Sequence, residues 1–431
     1  MILYKTAKMG SNGEEKMHSF GLERVESDNS VLDDLEFLNV DDMVEIDVDN
    51  DTEEMIEDED DSEASNENDA IVPEVDHSSF TFNLRKGPVY ACTFHPNGEI
   101  LAGGCEEETL YVWNCDDSRI LLEEKFQDSV TIIKFNYDGK YLVAVDMAGN
   151  FLCWKYSNNV FTKMNSMNFN EPCWLEWHPK ANVFMLAEKE SFCMWRIPTF
   201  EVKYFALDSP SQVGCFMPDG KNALIGCDEG YAIILDLSSF TLKAKLKPQE
   251  LDPAHSIVSL DAHPDNCLVA LGTKKGRVLL FTTKNPKLVG MLEIPETDNG
   301  NYIESIKFGH ECLAGLIIVA FSNYLHVYDH SKLVLRHAIL LSGIGTRLVC
   351  IEPYICIGTT KAVVDVCDCR SGLKKHSLQG HTKTIMDIAL SKDGKRIMTS
   401  SDDNSVKIFY LESSSHLSSK IFTFNGMSAV P

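Results

Sequence analysis

Gly380 to Phe409 reads GHTKTIMDIALSKDGKRIMTSSDDNSVKIF. A Gly-His pair opens it, and a short apolar strand follows (Ile385, Ile388, Leu390). The chain turns at Lys392-Asp393-Gly394-Lys395, runs a second strand from Ile397 to Ser400, turns again at Asp402-Asp403-Asn404, and ends in a third strand, Val406 to Phe409. Three short strands joined by polar turns make one small sheet, and one sheet alone cannot bury its two faces. Neighbours of the same shape are required, so the pattern must recur.

It does recur. Aligned on the residue that ends the third strand, the series is Trp113, Trp154, Trp195, Leu235, Phe281, Tyr328, Cys367 and Phe409, with spacings of 41, 41, 40, 46, 47, 39 and 42 residues. Hairpin turns fall in phase at His95-Pro96-Asn97-Gly98, Tyr137-Asp138-Gly139-Lys140, His178-Pro179-Lys180, Pro218-Asp219-Gly220-Lys221 and His263-Pro264-Asp265. A period near forty with room for a fourth strand is the mark of an all-β, WD-repeat type β-propeller. Eight units predict eight blades. Units six and seven are degenerate, so seven blades with an irregular insert is the alternative.

The chain has 65 acidic and 39 basic residues, a net charge of −26, but the imbalance is local. Glu26 to Leu84 holds 23 acids and no Lys or Arg, whereas residues 85–431 hold 39 acids against 35 bases. A propeller this close to neutral lacks the clustered basic surface that phosphate neutralisation needs, so direct nucleic-acid binding is not expected. The fourteen cysteines form no CxxC pair, which suits small hydrophobes in a reduced protein and excludes a zinc-ribbon pattern. No stretch reaches the ~20 apolar residues of a membrane span, and the N-terminus lacks an apolar signal core. A monomeric cytoplasmic protein, with a nuclear pool also open, is the expectation.

Taken in order, residues 1–77 read as a disordered acidic segment, 78–412 as the propeller and 413–431 as a flexible tail. Within the first, Val31 to Val48 (VLDDLEFLNVDDMVEIDV) interleaves apolar and acidic residues, either as a docking motif or as a solvated tail. Ser79 to Leu84 (SFTFNL) alternates just before the first repeat. An unclosed ring would leave exposed sheet edges, so Phe80 and Phe82 are expected on the outer strand of the last blade. Lys420 to Phe424 (KIFTF) competes for that place.

For catalysis the chain offers no phosphate loop, no HExxH and no GxSxG, and Gly343-Ile344-Gly345 lacks the third glycine of a dinucleotide site. No enzyme, cofactor or metal is expected. The His-Pro pairs recur at one structural position and read as turn residues. His381 and Asp403 are expected to form a structural hydrogen bond joined by a hydroxyl such as Ser400, with Phe409 in place of a Trp that could donate. The turns between second and third strands are richer. They carry Asp402-Asp403, Glu106-Glu107-Glu108, Asp146, Glu188 and Glu190 beside Lys189, and Asp228-Glu229, whereas units five and seven carry Lys274-Lys275 and Lys361. Unit eight adjoins unit one in a closed ring, so these acids form an arc over five blades, to which Glu250, Asp252, Glu296 and Asp298 would add. Such an arc suits a basic, extended peptide. The alternative is that exposed turns are simply polar. Trp174 and Trp177 (CWLEW) place one indole in the core and one near the channel mouth, so Trp174 is a candidate contact anchor.

With these residues in view, the sequence resembles the angio-associated migratory cell protein family. The shared stretches are the acidic VEIDVD, DSVTIIKFNYDGKYLVAVDMAGNFLCW, CWLEWHP, MPDGK with GCDEG, NYIESIKF, VLRH and GHTKTIMDIALSKDGK, across residues 40–410. The resemblance implies an eight-bladed propeller that escorts a newly made, basic large-subunit ribosomal protein of the L10 (uL16) type, a chaperone of ribosome biogenesis. It implies Glu106, Glu107, Asp228 and Glu229 as positions that grip the client. For some members it also implies scaffold roles in cell migration and small-GTPase signalling. A cullin-ligase receptor would use a Trp-Asp-x-Arg element, and Cys367-Asp368-Cys369-Arg370 departs from it.

Overall fold

In the computed structural model the described residues are 70–84, 87–189, 191–248, 256–294, 303–411 and 420–423. The Val31–Val48 motif, Glu190, Glu250, Asp252, Glu296, Asp298 and residues 412–419 lie outside them.

Among the described residues eight sheets follow one another, antiparallel but for one added strand of the last, and the eight-bladed count holds. Blade 1 runs Val89–Phe94, Ile100–Cys105, Thr109–Asn114 and Ile120–Lys125 from channel to rim, and blade 8 begins with Ile385–Leu390, Arg396–Ser401 and Ser405–Tyr410. The sixth and seventh blades (Ile303–Leu340 and Gly345–Leu378) have four full strands despite their degenerate sequences. What each position demands is apolar volume: Tyr328 and Cys367 fill the third-strand site that Trp113 fills in blade 1, and all three are buried.

Burial follows from stacking blade on blade. The second strands Ile100–Cys105, Tyr141–Asp146, Asn222–Cys227 and Leu316–Phe321 are buried along their whole length. Each is covered on both faces by neighbouring blades, which is why its sequence reads as a run and not an alternation. Outer strands such as Glu201–Ala206 keep one wet face and alternate. Seven of the eight innermost strands carry a register shift between their first and third residues, at Val89/Ala91, Val130/Ile132, Ser211/Val213, Ile257/Ser259, Ile303/Ser305, Gly345/Arg347 and Ile385/Asp387. A bulge there adds twist where the strands converge on the channel. The strand Trp174–Trp177 has none.

The ring closes through the N-terminal strand, as the alternation of SFTFNL predicts. Phe80–Asn83 pairs antiparallel with Ser405–Ile408. Phe82 is fully buried and stacks on Trp113 of blade 1 at 5.3 Å between centroids, so closure also welds the last blade to the first. Lys420–Thr423 does not compete for this place. It adds a fifth strand, parallel to Phe80–Asn83, outside it.

Residues 70–77, assigned above to the acidic segment, lie against the last blade. Ile71 N–H donates to Thr382 O at 2.8 Å and His77 N–H to Gln379 O at 2.9 Å. Asp76 pairs with Lys407 at 3.0 Å. Lys407 is nearly buried, and Ser78 and Thr81 complete its hydrogen bonds. Burial opposes ionisation of Asp76, but Ser78 and Lys407 outweigh it and hold its carboxyl below the usual range.

Two of the three His-Pro turns, those of His95 and His178, fasten blade to blade, in keeping with the structural role their repetition implies. His95 Nε2 lies 3.0 Å from Gly139 O and His178 Nε2 lies 2.9 Å from Gly220 O, each fastening one blade's first turn to the next. Both glycines have positive φ, +76° and +65°. A Cβ at Gly139 would run into the His95 ring.

The His381 network also forms. Nδ1 lies 2.8 Å from Asp403 Oδ2, and Thr382 N–H donates to the same oxygen at 2.9 Å. The hydroxyl on Nε2 is Thr399 at 2.7 Å, and Ser405 donates to Asp403 Oδ1 at 2.5 Å. Ser400 is therefore not the joining residue: it is next to Thr399 on the strand, so its side chain points to the opposite face of the blade. Burial raises the Asp403 pKa, but His381 and Ser405 prevail and bring it to about 2.

Candidate partner-binding face

Every blade runs channel to rim in the same sense, so all turns between second and third strands open on one face, together with the connections from each rim strand to the next channel strand. On that face the turn Glu106-Glu107-Glu108 is exposed throughout, and Glu108 sits at φ +57°. Glu229 is exposed, and Asp228 is half-buried. Ser256 O–H donates to Asp228 at 2.7 Å and Gln212 at 3.3 Å, which fixes the carboxylate without neutralising it. Asp402 is half-buried with Lys383 at 3.7 Å.

Two groups on this face feel the charges of carboxylates from neighbouring blades. The Tyr90 hydroxyl, on the channel strand of blade 1, donates to Glu106 at 3.3 Å. Burial raises the Tyr90 pKa first, and then the charges of Glu106 and Asp402, from two different blades, raise it further. Burial likewise raises the Cys173 thiol, helped by Asp228 and Glu171. Carboxylates of blades 8 and 1 thus converge on one group, and those flanking blades 3 and 4 on another. Glu188 is half-buried, which raises its pKa, and Lys189 pairs with Glu171 at 3.3 Å.

Two expected contact residues are not on the surface. Asp146 is fully buried. Its carboxylate accepts from Gln127 N and Asp128 N at 3.2 Å each, from Asn150 N at 2.7 Å and from Asn150 Nδ2 at 2.8 Å. It pins the entry to blade 2 against that blade's own turn and presents no charge to a partner. The turn exposes Met147 instead, at 62%. Trp174 is also buried and is no channel-mouth anchor. Its Nε1 donates to Ser211 Oγ at 3.0 Å, and its ring lies where a Cβ on Gly214 would be. Trp177 is buried as well.

Four residues that the turn pattern passed over belong to this face: Tyr90, Asp128, Glu171 and Met147. Asp128 and Glu171 lie on rim-to-channel connections, which share the face by topology; the sequence reading drew acids only from the two long connections, before units five and six, and so passed over these short ones. Blades 5 and 7 present Lys274, Lys275 and Lys361, all exposed. The acidic side of the ring therefore spans blades 8 and 1 to 4, with blade 2 contributing through Asp128.

Below the face, a cavity of about 560 Å³ lies along the channel. Of its charged lining residues, Glu176 pairs with Lys134 and Asp261 with Lys307, the latter at 3.4 Å. Asp387 is half-buried and accepts from Cys92 N at 3.0 Å, and its partial removal from water raises its pKa.

A WD domain, G-beta repeat family model matches residues 77–114 and 372–409. Human angio-associated migratory cell protein is 29% identical over 369 residues, covering 78% of this chain and 81% of the relative. An uncharacterised WD repeat-containing protein of Schizosaccharomyces pombe is 24% identical over 217 residues, 47% of this chain and 53% of that one. Among solved structures, Saccharomyces cerevisiae Sqt1 superposes with a TM-score of 0.70 at 18% identity, over 78% of this chain and 99% of that one. Chaetomium thermophilum Sqt1 bound to the N-terminus of the ribosomal protein L10 gives the same TM-score and identity, over 78% and 100%. At 18% identity these structures establish likeness of fold.

Proposed function

Starting from a chain that is a WD-repeat propeller similar to angio-associated migratory cell protein, we propose that it is a non-enzymatic escort for a basic ribosomal protein of the L10 type, holding the client's N-terminal segment on the acidic face. The observation that carries this reading is the set of exposed or half-exposed carboxylates on neighbouring turns, Glu106, Glu107, Asp228, Glu229 and Asp402. The fold shared with an Sqt1 seen bound to the L10 N-terminus supports it. A monomeric protein, cytoplasmic and also nuclear, without nucleic-acid or membrane contacts, fits this role.

The test is binding of a synthetic peptide from the N-terminus of this organism's own L10 to the full chain, by calorimetry at two salt concentrations. Reversing Glu107 and Glu229 to Lys changes the local charge by four. At about 0.5 kcal/mol for each exposed charge, the loss is about 2 kcal/mol, roughly thirty-fold in Kd. Wild-type binding weakens with salt and the double variant's changes little. Equal affinity of wild type and variant removes the face from the reading, and no binding of the peptide at all removes the client.

A further inference from the structure

We propose that the first turn of blade 5 is a zinc site formed by His263, Asp265 and Cys267, a role separate from the acidic face. Three observations carry it. Donor atoms of the three side chains lie within 4.8 Å of one another. His263 Nδ1 is 3.7 Å from Asp265 Oδ2 and 3.9 Å from Cys267 Sγ. Bond lengths of about 2.0–2.3 Å in a tetrahedral zinc site place neighbouring donors roughly 3.3–3.6 Å apart, so the two His263 pairs need contract by only a few tenths of an ångström, and rotation of the exposed Asp265 and Cys267 side chains must close their own separation, which is within 4.8 Å.

The turn is also held ready. Asn266 sits at φ +56°, its amide donates to His263 O at 2.8 Å, and its side-chain oxygen accepts from Asp219 N of blade 4 at 3.0 Å. Thr283 donates to Asn266 O at 2.5 Å. The strands that flank the turn are also tied, His263 N–H donating to Leu268 O at 2.9 Å and Thr283 N–H to Cys267 O at 3.1 Å. The hinge residue between the second and third ligands is therefore fixed from both sides.

The third observation is a contrast with the other His-Pro turns. His95 and His178 each reach a glycine carbonyl of the next blade, and the residues at the Asp265 and Cys267 positions are Asn97 and Glu99, or Lys180 and Asn182. Blade 6 replaces that partner turn with a short 3-10 turn, Glu311–Leu313. Among the described residues no such carbonyl is bonded to His263, whose ring packs on Phe308 and His330 of blade 6 at 5.2 and 5.3 Å, as the His95 ring packs on Phe135 and Tyr156 and the His178 ring on Phe216. The hydrogen bond that latches the other two histidines to the next blade is missing where two further ligands appear.

Zinc would take the Nδ1 lone pair, which now accepts Asp265 N–H at 3.2 Å. That amide lies in an exposed turn, where water can replace the lost acceptor. Cys267 binds as thiolate and releases its proton to solvent; water completes the fourth position.

Reduced full-length protein is titrated with Co²⁺ and then Zn²⁺. The wild type should show a sulfur-to-cobalt charge-transfer band that Zn²⁺ abolishes, and Zn²⁺ should slow alkylation of Cys267 relative to Cys312, the other exposed thiol. Cys267→Ser should lose the band, and Asp265→Asn should lose most of the Zn²⁺ protection. Both side chains are exposed, so circular dichroism should match wild type. A band that persists in Cys267→Ser, no band in the wild type, alkylation of Cys267 unchanged by Zn²⁺, or protection in Asp265→Asn equal to wild type each overturns the proposal.

Discussion

Replacing Asp403 by Asn tests how the last blade is held. The carboxylate is almost fully covered and takes hydrogen bonds from Thr382 N–H and Ser405 O–H while facing His381. Its pKa falls to about 2, from an ordinary value near 3.8. At 1.36 kcal/mol per unit this is about 2 kcal/mol of stability, an order-of-magnitude figure. The folded-state pKa is depressed, so the contribution is complete above about pH 4 and drains away as pH falls through about 2. Asn keeps the shape and loses the charge. Denaturant unfolding should therefore show Asp403→Asn less stable by about 2 kcal/mol at pH 7, with the difference narrowing steadily between pH 4 and pH 2. Hydrogen exchange at the Thr382 amide gives a local readout and should quicken in the variant at pH 7. A stability difference that is the same at pH 7 and pH 2.5, or unchanged Thr382 exchange, would refute the charge as the source.

Phe82→Ala removes a fully buried ring stacked on Trp113 and should cost about 3–5 kcal/mol, read as a lower denaturation midpoint with early exposure of the blade 8–blade 1 seam in hydrogen exchange. Asp146→Ala orphans four N–H donors and should cost about 2–3 kcal/mol, yet leave the salt dependence of L10-peptide binding as in wild type; a reduced salt slope would put Asp146 back among the contacts. Gly214→Ala drives a methyl into the Trp174 indole and should lower stability by about 1–3 kcal/mol with a change in tryptophan emission; an unperturbed spectrum would deny the packing.

Much of the architecture was legible because a repeat states its own period. Eight third-strand positions gave eight blades, and SFTFNL showed which strand shuts the ring, since alternation next to an unclosed edge has few other uses. The added strand at Lys420–Thr423 was readable only as a rival for that place, because pairing partners are chosen in three dimensions. Glu107 and Glu229 were found from their place in the turns. Glu171 and Asp128 were missed because the rim-to-channel connections vary in length and show no period.

Asp146 and Trp174 mark where sequence reading stops. An Asp in a turn between strands reads the same whether it meets solvent or four N–H groups, and only the approach of the Gln127-Asp128 connection decides which. A Trp at the start of a channel strand reads as a contact anchor until the neighbouring blade offers Gly214 as its seat. The sequence by itself determined period, blade number, the closing strand and the location of charge, all set by local pattern and composition. Tertiary structure alone decided which carboxylates remain exposed and which are spent on backbone amides, and that His263, Asp265 and Cys267 share a corner without the interblade latch of their counterparts, because exposure and partnership arise between segments distant in the chain.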